Sequence, residues 1–560
     1  MSNVNVEQVK QESHGLYGAL LADLANSDSF LSEAGKVLIK FHGSYEQTNR
    51  DQRGVRPDEK EYSFMIRSKL PGGKLTAAQY LAHDDIASQY GNQTLRITTR
   101  QGIQFHGVIK QELRDTIRAL NHKLVTTFGA CGDVVRNVMC CPAPTSNPQR
   151  LKVQQVANEL SNATLPKTKA YHQIWIEGEA IVQDEEDPLY GQVYLPRKFK
   201  TAIAFAGDNC VDIYTNDAGL IALFDDDQNL IGYNVVAGGG MGVTHANEET
   251  FARLADMIGF VAPDQAVDII KAIVGVHRDF GDRTNRKHAR LKYVLHEWGV
   301  EKFTQELQSR VPFKIQPARP MPEFKVEDHL GWNELGDKTW FIGLPVESGR
   351  IADKGHYKLR SGLRHIITQF GLSVRLTAQQ NILLSDIRAE DRAAINALLN
   401  EYGITQVEAI TGLRRNGLAC PALPTCGLAL TEAERVLPHV FDEIEGVLEE
   451  TGLIQEPIVL RMTGCPNGCA RPYVAELALV GRSPGKYVIY LGGNAVGTRL
   501  ARSFMDLVPM DKLAPTLKPI FEDFRDHRHT NEPFGDFCDR VGFEHLTTLA
   551  PVDYGAKRAK

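Results

Sequence analysis

RITTRQGI (Arg96–Ile103) returns as RLTAQQNI (Arg375–Ile382), 279 residues further along a chain of 560. A second pair keeps the same step: RNVMCCPAPTS starts at Arg136 and RNGLACPALPTC at Arg415. Two matches at one ungapped offset, close to half the chain length, mark an internal duplication. Around the first copy, strand-like SFMIRSKL, TLRITT and IQFHGVI alternate with helix-like LTAAQYLAHDDIASQYG and QELRDTIRALNHKLV. Such alternation predicts an α+β fold rich in α/β character, in two related halves. Helices are also expected near Val9–Ala25 and over LTEAERVLPHVFDEIEGVLEE, the latter followed by a strand, PIVLRM.

The chain is too long for a single core and should divide into several domains. Its formal net charge is −6, so bulk charge does not suit a nucleic-acid binder, and any basic cluster is a local feature. No apolar run reaches a membrane span of roughly 18–20 residues. The opening MSNVNVEQVKQESHG lacks the basic and apolar regions of a signal peptide, which gives a cytoplasmic expectation. In that setting nine cysteines read as buried thiols, metal ligands or catalytic groups in preference to disulfides.

Four cysteines form two pairs: Cys420 and Cys426 in CPALPTC, Cys465 and Cys469 in CPNGC. Each pair lies in a turn-rich segment able to aim thiolates at one centre. Four thiolates without a histidine fit a tetrahedral metal site or a cubane iron–sulfur cluster. Structural zinc usually takes tighter spacings in both pairs. The alternatives are zinc and four unrelated buried thiols. The first copy keeps Cys141 but has Ser146 where the second cysteine of the pair would fall, allowing one residue of slack. Cys131, Cys140, Cys210 and Cys538 have no such company and are expected to be ordinary buried thiols.

Positive charge collects beside apolar strand-like stretches: Arg67; Arg96, Arg100 and His106; Arg136; Arg197, Lys198 and Lys200; Arg290 and Lys292. Taken singly, such residues are usually solvated surface charges. In RKFKTAIAF, however, Lys198 and Lys200 alternate and so share one face of a strand.

KFHGSY, FMIRSKLPGG, TTRQGIQFHG, RNVMC, YLPRKFK, GGGMG, the two cysteine pairs and EPFGDF together resemble the sulfite/nitrite reductase family, on its assimilatory sulfite-reducing hemoprotein branch. The pieces run from about residue 39 to residue 545. Gly102 and Leu418 depart from the family's usual residues without removing a ligand. The resemblance implies a pseudo-twofold fold with ferredoxin-like half-domains. Its parts would be an N-terminal arm (1–60), a first half-repeat (61–130), a first siroheme-binding domain (131–330), a second half-repeat (331–408), and a second siroheme and cluster domain (409–560).

It further implies a [4Fe–4S] cluster on Cys420, Cys426, Cys465 and Cys469, with Cys469 also reaching the iron of siroheme. Siroheme is a polycarboxylate, and its burial demands cationic and hydrogen-bonding partners. Arg96, Thr98, Arg100, Gln104, His106, Arg197, Arg290, Lys292, the backbone of Gly238, Gly239 and Gly240, and Asn467 match that role. Arg67, Arg136, Lys198 and Lys200 match the substrate quartet.

The implied reaction is six-electron reduction of sulfite to sulfide, serving sulfate assimilation and cysteine biosynthesis. Nitrite reduction to ammonia is the alternative within the family; the presence of both lysines favours sulfite. An iron–sulfur electron carrier would explain the cysteines but not the basic clusters. GGNAVG and AGGGMG lack the strand and helix context of a dinucleotide site. Electrons are therefore expected from another protein. FGACGDVVRN, CARPYVAEL and DRVGFEHL resemble the ferredoxin-dependent branch more than the one served by an NADPH flavoprotein.

Overall fold

The computed structural model describes residues 4–52, 55–56, 59–178, 186–245, 247–336, 338–550, 552 and 554. The first half supplies β1 (Ser44–Thr48), β2 (Tyr62–Arg67), β3 (Lys74–Leu75), β4 (Leu95–Ile97) and β5 (Ile103–Val108). It continues with β6 (Val135–Cys140), β7 (Phe199–Phe205), β8 (Ala218–Phe224), β9 (Leu230–Ala237) and β10 (Asp256–Val261). The second half repeats the set as β11 (Gly331–Glu334), β12 (Thr339–Leu344) and β13 (Arg350–Ile351). A small hairpin follows, β14 (Asp353–Lys354) and β15 (Tyr357–Lys358), and then β16 (Ser373–Leu376) and β17 (Ile382–Arg388). The last sheet contains β18 (Leu418–Ala419), β19 (Leu460–Thr463), β20 (Leu477–Ser483), β21 (Lys486–Leu491) and β22 (Arg502–Pro509).

The chain forms two compact units. One contains residues 1–47, 61–239 and 255–405, and the other residues 48–60, 240–254 and 406–560. The larger unit holds two mixed-order sheets, β1-β2-β5-β4-β13 and β11-β12-β17-β16-β3. Each half keeps its hairpin strands but gives its short third strand to the other: β13 pairs with β4, and β3 with β16.

The opening repeat lies at this exchange. Gln101 and Gln380, one repeat step apart, are both fully buried in left-handed turns, at φ 57° and 68°. Gln101 Nε2 donates to Leu376 O (3.0 Å) and Cys140 O (2.8 Å). Gln380 Nε2 donates to Ile97 O (3.2 Å) and Ser348 O (3.1 Å). Each amide thus satisfies the carbonyl that ends a strand of the opposite half. Glycine is needed beside both: a Cβ on Gly73 would meet Leu376 O at 2.5 Å, and one on Gly349 would meet Ile97 O at 2.3 Å.

The other two sheets share one topology. In β6-β7-β8-β9-β10 and in β18-β19-β20-β21-β22 the first two pairings are parallel and the last two antiparallel. Strands such as β8 (AGLIALF) are buried on both faces, as their unbroken apolar runs require. Helices Pro148–Ala163 and Leu437–Glu450 make the corresponding crossovers, with proline in the first turn of each.

Two sequence expectations need correction. The helix near Val9–Ala25 is two short helices, Val6–Gln11 and Leu20–Ala25; His14, Gly15, Leu16 and Gly18 adopt positive φ between them. The helix expected from Leu430 begins only at Leu437, ahead of Pro438. The first helix is anchored by Lys10, whose Nζ donates to Leu195 O (2.9 Å) and lies 3.7 Å from Asp133. Arg286 completes the group at 2.8 Å from Asp133.

Two predictions follow from this packing. Gln101→Ala and Gln380→Ala should each destabilise the protein by about 1–3 kcal/mol, because buried carbonyls lose their donor; urea unfolding measures this, and losses under about 0.5 kcal/mol would show the amides to be dispensable. Burial alone would raise the Asp133 carboxyl, but Arg286 and Lys10 outweigh it and bring its pKa to about 2. A depressed carboxyl stabilises fully above its unfolded value, near 4, and loses that contribution as pH falls towards 2. Asp133→Asn should therefore cost about 3 kcal/mol at neutral pH and flatten the stability profile between about pH 4 and 2; an acid limb identical to that of the parent would refute the assignment.

Candidate functional site

The larger unit assembles the predicted cations on two sheets. Across β2, β5 and β4, Arg67 pairs with Gln104 and Gln104 with Arg96; Arg350 on the exchanged β13 extends the row. Residues directly opposite in an antiparallel ladder share a face, so three arginines and one glutamine form a single line. Gln104, with its amide oxygen turned towards Arg67, accepts from Arg67 Nε at 3.1 Å. Arg67 Nη1 also donates to Cys131 Sγ at 3.1 Å.

On the neighbouring sheet Val135 pairs with Phe199, and both are fully buried. Lys198 and Lys200 flank Phe199 and so lie on the face opposite to it, while Arg136 falls at an irregularity in the pairing between Val135 and Val138. Arg136 Nη2 donates to Tyr45 Oη (3.4 Å) and to Gly132 O (3.1 Å), and the Tyr45 ring lies 6.0 Å from the Arg67 guanidinium. Tyr45 thus joins two members of the predicted quartet, and Cys131 holds one of them, Arg67. Sequence reading missed both of these roles, and missed Arg350. Tyr45 lay inside the quoted KFHGSY, whereas Arg350 arrives only through the strand exchange.

Other predicted residues are engaged by the scaffold. Arg100 donates to Asn216 Oδ1 (2.8 Å), Asn137 O (2.6 Å) and Thr201 O (3.1 Å). Thr98 Oγ1 accepts from the Gly102 and Arg100 amides and so closes the turn after β4. His106 Nδ1 faces Gln47 Oε1 at 3.2 Å. Arg290 forms a buried two-point ion pair with Asp217 (3.0 and 2.7 Å), and Asp217 also accepts from the Lys200 amide. Lys292 is fully buried, 4.9 Å from the Tyr293 ring. The Gly238 and Gly239 amides donate to Asp217 O and Asn216 O. Gly239 has no room for a side chain, since a Cβ would meet Tyr214 O at 2.1 Å.

So much positive charge is costly without an anion. Burial, and then Arg286, lower Arg197 to about 10. Burial lowers Lys69, two residues beyond Arg67, to about 7, and its Nζ has no hydrogen-bond partner among the described residues. This donor set fits a polycarboxylate group.

The smaller unit holds the four cysteines. Cys420 directly follows β18, and Cys465 and Cys469 lie in the short crossover after β19. Gly464 N–H donates to Cys420 Sγ (3.3 Å) and Asn467 Nδ2 to Cys465 Sγ (3.4 Å). Arg50 Nη1 ties down the other loop through Gly427 O (2.8 Å) and Cys426 O (3.3 Å). Gly240 bonds Arg253 through both backbone groups. A Cβ on Gly468 (φ 64°) would meet Met241 O at 2.8 Å.

Burial and then the charge of Cys469 push Cys465 up to about 12 and Cys420 well above its usual range; Cys426 is raised for the same reasons. A positively charged core would offset that cost for Cys420, Cys426 and Cys465. No three of these sulfurs lie within 4.8 Å of one another, whereas sulfurs on one zinc ion sit about 3.8 Å apart. The quartet that does close to 4.8 Å, among the described residues, is Cys141, Asp208, Cys210 and His329. This corrects the expectation that Cys210 is an isolated thiol: its partners are remote in sequence and meet only in the fold.

Comparison with known proteins agrees with the geometry. A family model described as a nitrite/sulfite reductase ferredoxin-like half domain matches residues 56–123 and again 333–402. A second, described as a nitrite and sulphite reductase 4Fe-4S domain, matches residues 155–315, a span that contains Cys210 and none of the four paired cysteines. The chain is 46% identical to a sulfite reductase [ferredoxin] of Synechococcus elongatus, over 97% of this chain and 90% of that protein. It is equally 46% identical to a sulfite reductase [NADPH] hemoprotein beta-component of Myxococcus xanthus, over 98% of each. The solved structure of Mycobacterium tuberculosis NirA protein shares the fold, with a TM-score of 0.79, 23% identity and 97% coverage of both chains. Duplicated ferredoxin-like halves, the paired five-stranded sheets and near full-length likeness to these reductases establish that the chain belongs to the nitrite and sulfite reductase family.

Proposed function

We propose that the chain is an assimilatory sulfite reductase that reduces sulfite to sulfide with siroheme and a [4Fe–4S] cluster, drawing electrons from a ferredoxin. The observation that carries this reading is the line of Arg67, Gln104 and Arg96, joined through Tyr45 to Arg136. Cys420, Cys426, Cys465 and Cys469 would hold the cluster, and Cys469, the exposed member, would be the thiolate offered to the siroheme as well. Arg96, Thr98, Arg100, Gln104, His106, Arg197, Gly238, Gly239, Gly240, Arg290, Lys292 and Asn467 receive or frame the siroheme.

When bound, the cluster and the siroheme would supply one-electron redox chemistry. The guanidinium groups of Arg67 and Arg136 orient the sulfite oxygens. Lys198 and Lys200 supply charge and protons; the sulfite dianion takes up six electrons and seven protons to give HS⁻ and three waters. Arg100 and Asp217 position this layer through the contacts described above and do not touch substrate.

The five-part division of the chain is supported by its sheets, since β2–β5, β6–β10, β11–β17 and β18–β22 fall within successive segments. A cytoplasmic location is supported by nine cysteines of which none forms a disulfide among the described residues. No helix among those residues is long and apolar enough to cross a membrane.

The reading is tested by turnover of the purified protein with sulfite, supplied either with photoreduced ferredoxin or with NADPH and a flavoprotein reductase. Sulfide release with ferredoxin is expected; release only with the flavoprotein would replace the donor, and none with either would remove the function. Lys198→Asn and Lys200→Asn should each lower kcat/KM for sulfite at least about tenfold more than for nitrite, a difference of about 1.4 kcal/mol. Equal losses on the two substrates would remove the basis for preferring sulfite.

A further inference from the structure

The loop between β7 and β8 in the first half is the topological twin of the loop between β19 and β20 that carries Cys465 and Cys469. Cys210 lies two residues before Asp212, a left-handed residue (φ 47°) that opens the 3-10 turn Ile213–Thr215. Cys469 lies two residues before Arg471, a left-handed residue (φ 54°) that opens Pro472–Val474. Each loop then ends in a buried acid, Asp217 or Glu476, which accepts a backbone N–H from the region of the preceding strand. Cys141 likewise directly follows β6, as Cys420 follows β18. Cys141 and Cys210 therefore occupy the positions that Cys420 and Cys469 occupy in the second half.

In the first half these thiols converge with two further donors. Cys141 Sγ is 3.3 Å from Asp208 Oδ2 and 3.5 Å from His329 Nε2, and His329 Nε2 is 3.9 Å from Asp208 Oδ2. All four donor atoms, including Cys210 Sγ, lie within 4.8 Å of one another. A tetrahedron with bonds of about 2.0–2.1 Å to nitrogen or oxygen and about 2.3 Å to sulfur has edges of about 3.4–3.8 Å. The three measured separations cluster around that range.

The donors are held from outside. Asp208 Oδ1 accepts from the Cys210 amide (3.0 Å), which leaves Oδ2 for the centre. Gln154 Nε2 donates to Cys141 O (3.2 Å) and Gln379 Nε2 to Cys210 O (2.5 Å). The segment leading to His329 is stitched to the loop by Asn209 N–H to Lys325 O (2.8 Å) and Lys325 N–H to Gly207 O (3.0 Å). Gly343 lets β12 lie against His329, for a Cβ there would meet His329 O at 2.0 Å. Both cysteines are 1% exposed, while the Asp208 and His329 side chains keep 15% and 11%, which leaves a way in for an ion.

We propose that Cys141, Asp208, Cys210 and His329 bind one structural zinc ion, so that the first half carries a mononuclear metal site where the second carries its four-cysteine cradle. Two thiolates, one imidazole and one carboxylate suit a borderline-soft, tetrahedral ion. Binding releases the two thiol protons and involves no electron transfer.

Elemental analysis of the holoprotein, grown in zinc-replete medium, should give about one zinc per chain. Cys210→Ser, His329→Ala and the Cys141→Ser/Cys210→Ser pair should lose that zinc while keeping the iron content and visible spectrum of the parent. Zinc K-edge absorption on the unmodified protein, which needs no variant to fold, should show two sulfurs near about 2.3 Å and two lighter ligands near about 2.0 Å. Zinc below about a tenth of an equivalent per chain, zinc retained in the double variant, or an intact mass showing a Cys141–Cys210 disulfide would each overturn the proposal. None of these readouts depends on sulfite turnover.

Discussion

The reciprocal reach of Gln101 and Gln380 is the constraint on which the larger unit depends. Each side chain crosses to the other half and bonds the carbonyl at the end of a strand there. A buried carbonyl without a donor is expensive, and here the donor is always supplied by the other copy. The exchanged strands β3 and β13 run beside these bonds. So Arg350 of β13 joins the Arg67–Gln104–Arg96 line only when both halves are assembled.

Electrostatics then divides the work. The larger unit concentrates buried cations, some with their pKa drawn down by burial and by one another, as at Arg197. The smaller unit concentrates thiols whose ionisation is opposed by burial and by one another's charge, as at Cys420 and Cys465. One arrangement calls for a multivalent anion and the other for a cationic core. Asp217 and Glu476 carry the same backbone-bracing task at the same point of the two five-stranded sheets, although only Asp217 also receives an arginine. The duplication has kept the scaffold's hydrogen bonds more strictly than its ligands.

Much of this is legible in the sequence because repeats and strand alternation are local signals. The offset between Arg96 and Arg375 gives the duplication, and RKFK before TAIAF places Lys198 and Lys200 on one face. Legibility fails where long-range packing decides. Gly15 and Gly18 with left-handed His14 and Leu16 break a helix that the apolar pattern near Val9 would extend. The Arg290–Asp217 pair spans 73 residues and the Cys141–His329 contact 188, and neither leaves a spacing motif. Arg290 and Arg100 read as plain cations in sequence, yet much of their hydrogen-bonding capacity is directed into the scaffold.

The strand exchange also bears on how such a chain could arise. In each half the short third strand pairs with the other half's fourth strand or its equivalent, β16 or β4. A single-copy ancestor with this geometry would have been an obligate homodimer, each protomer completing its neighbour's sheet. Fusion of two such copies would free them to diverge, because a substitution would no longer have to appear at both symmetry-related positions at once. The contrast between a four-cysteine cradle in one half and a Cys–Asp–Cys–His quartet in the other is what that loss of enforced symmetry permits.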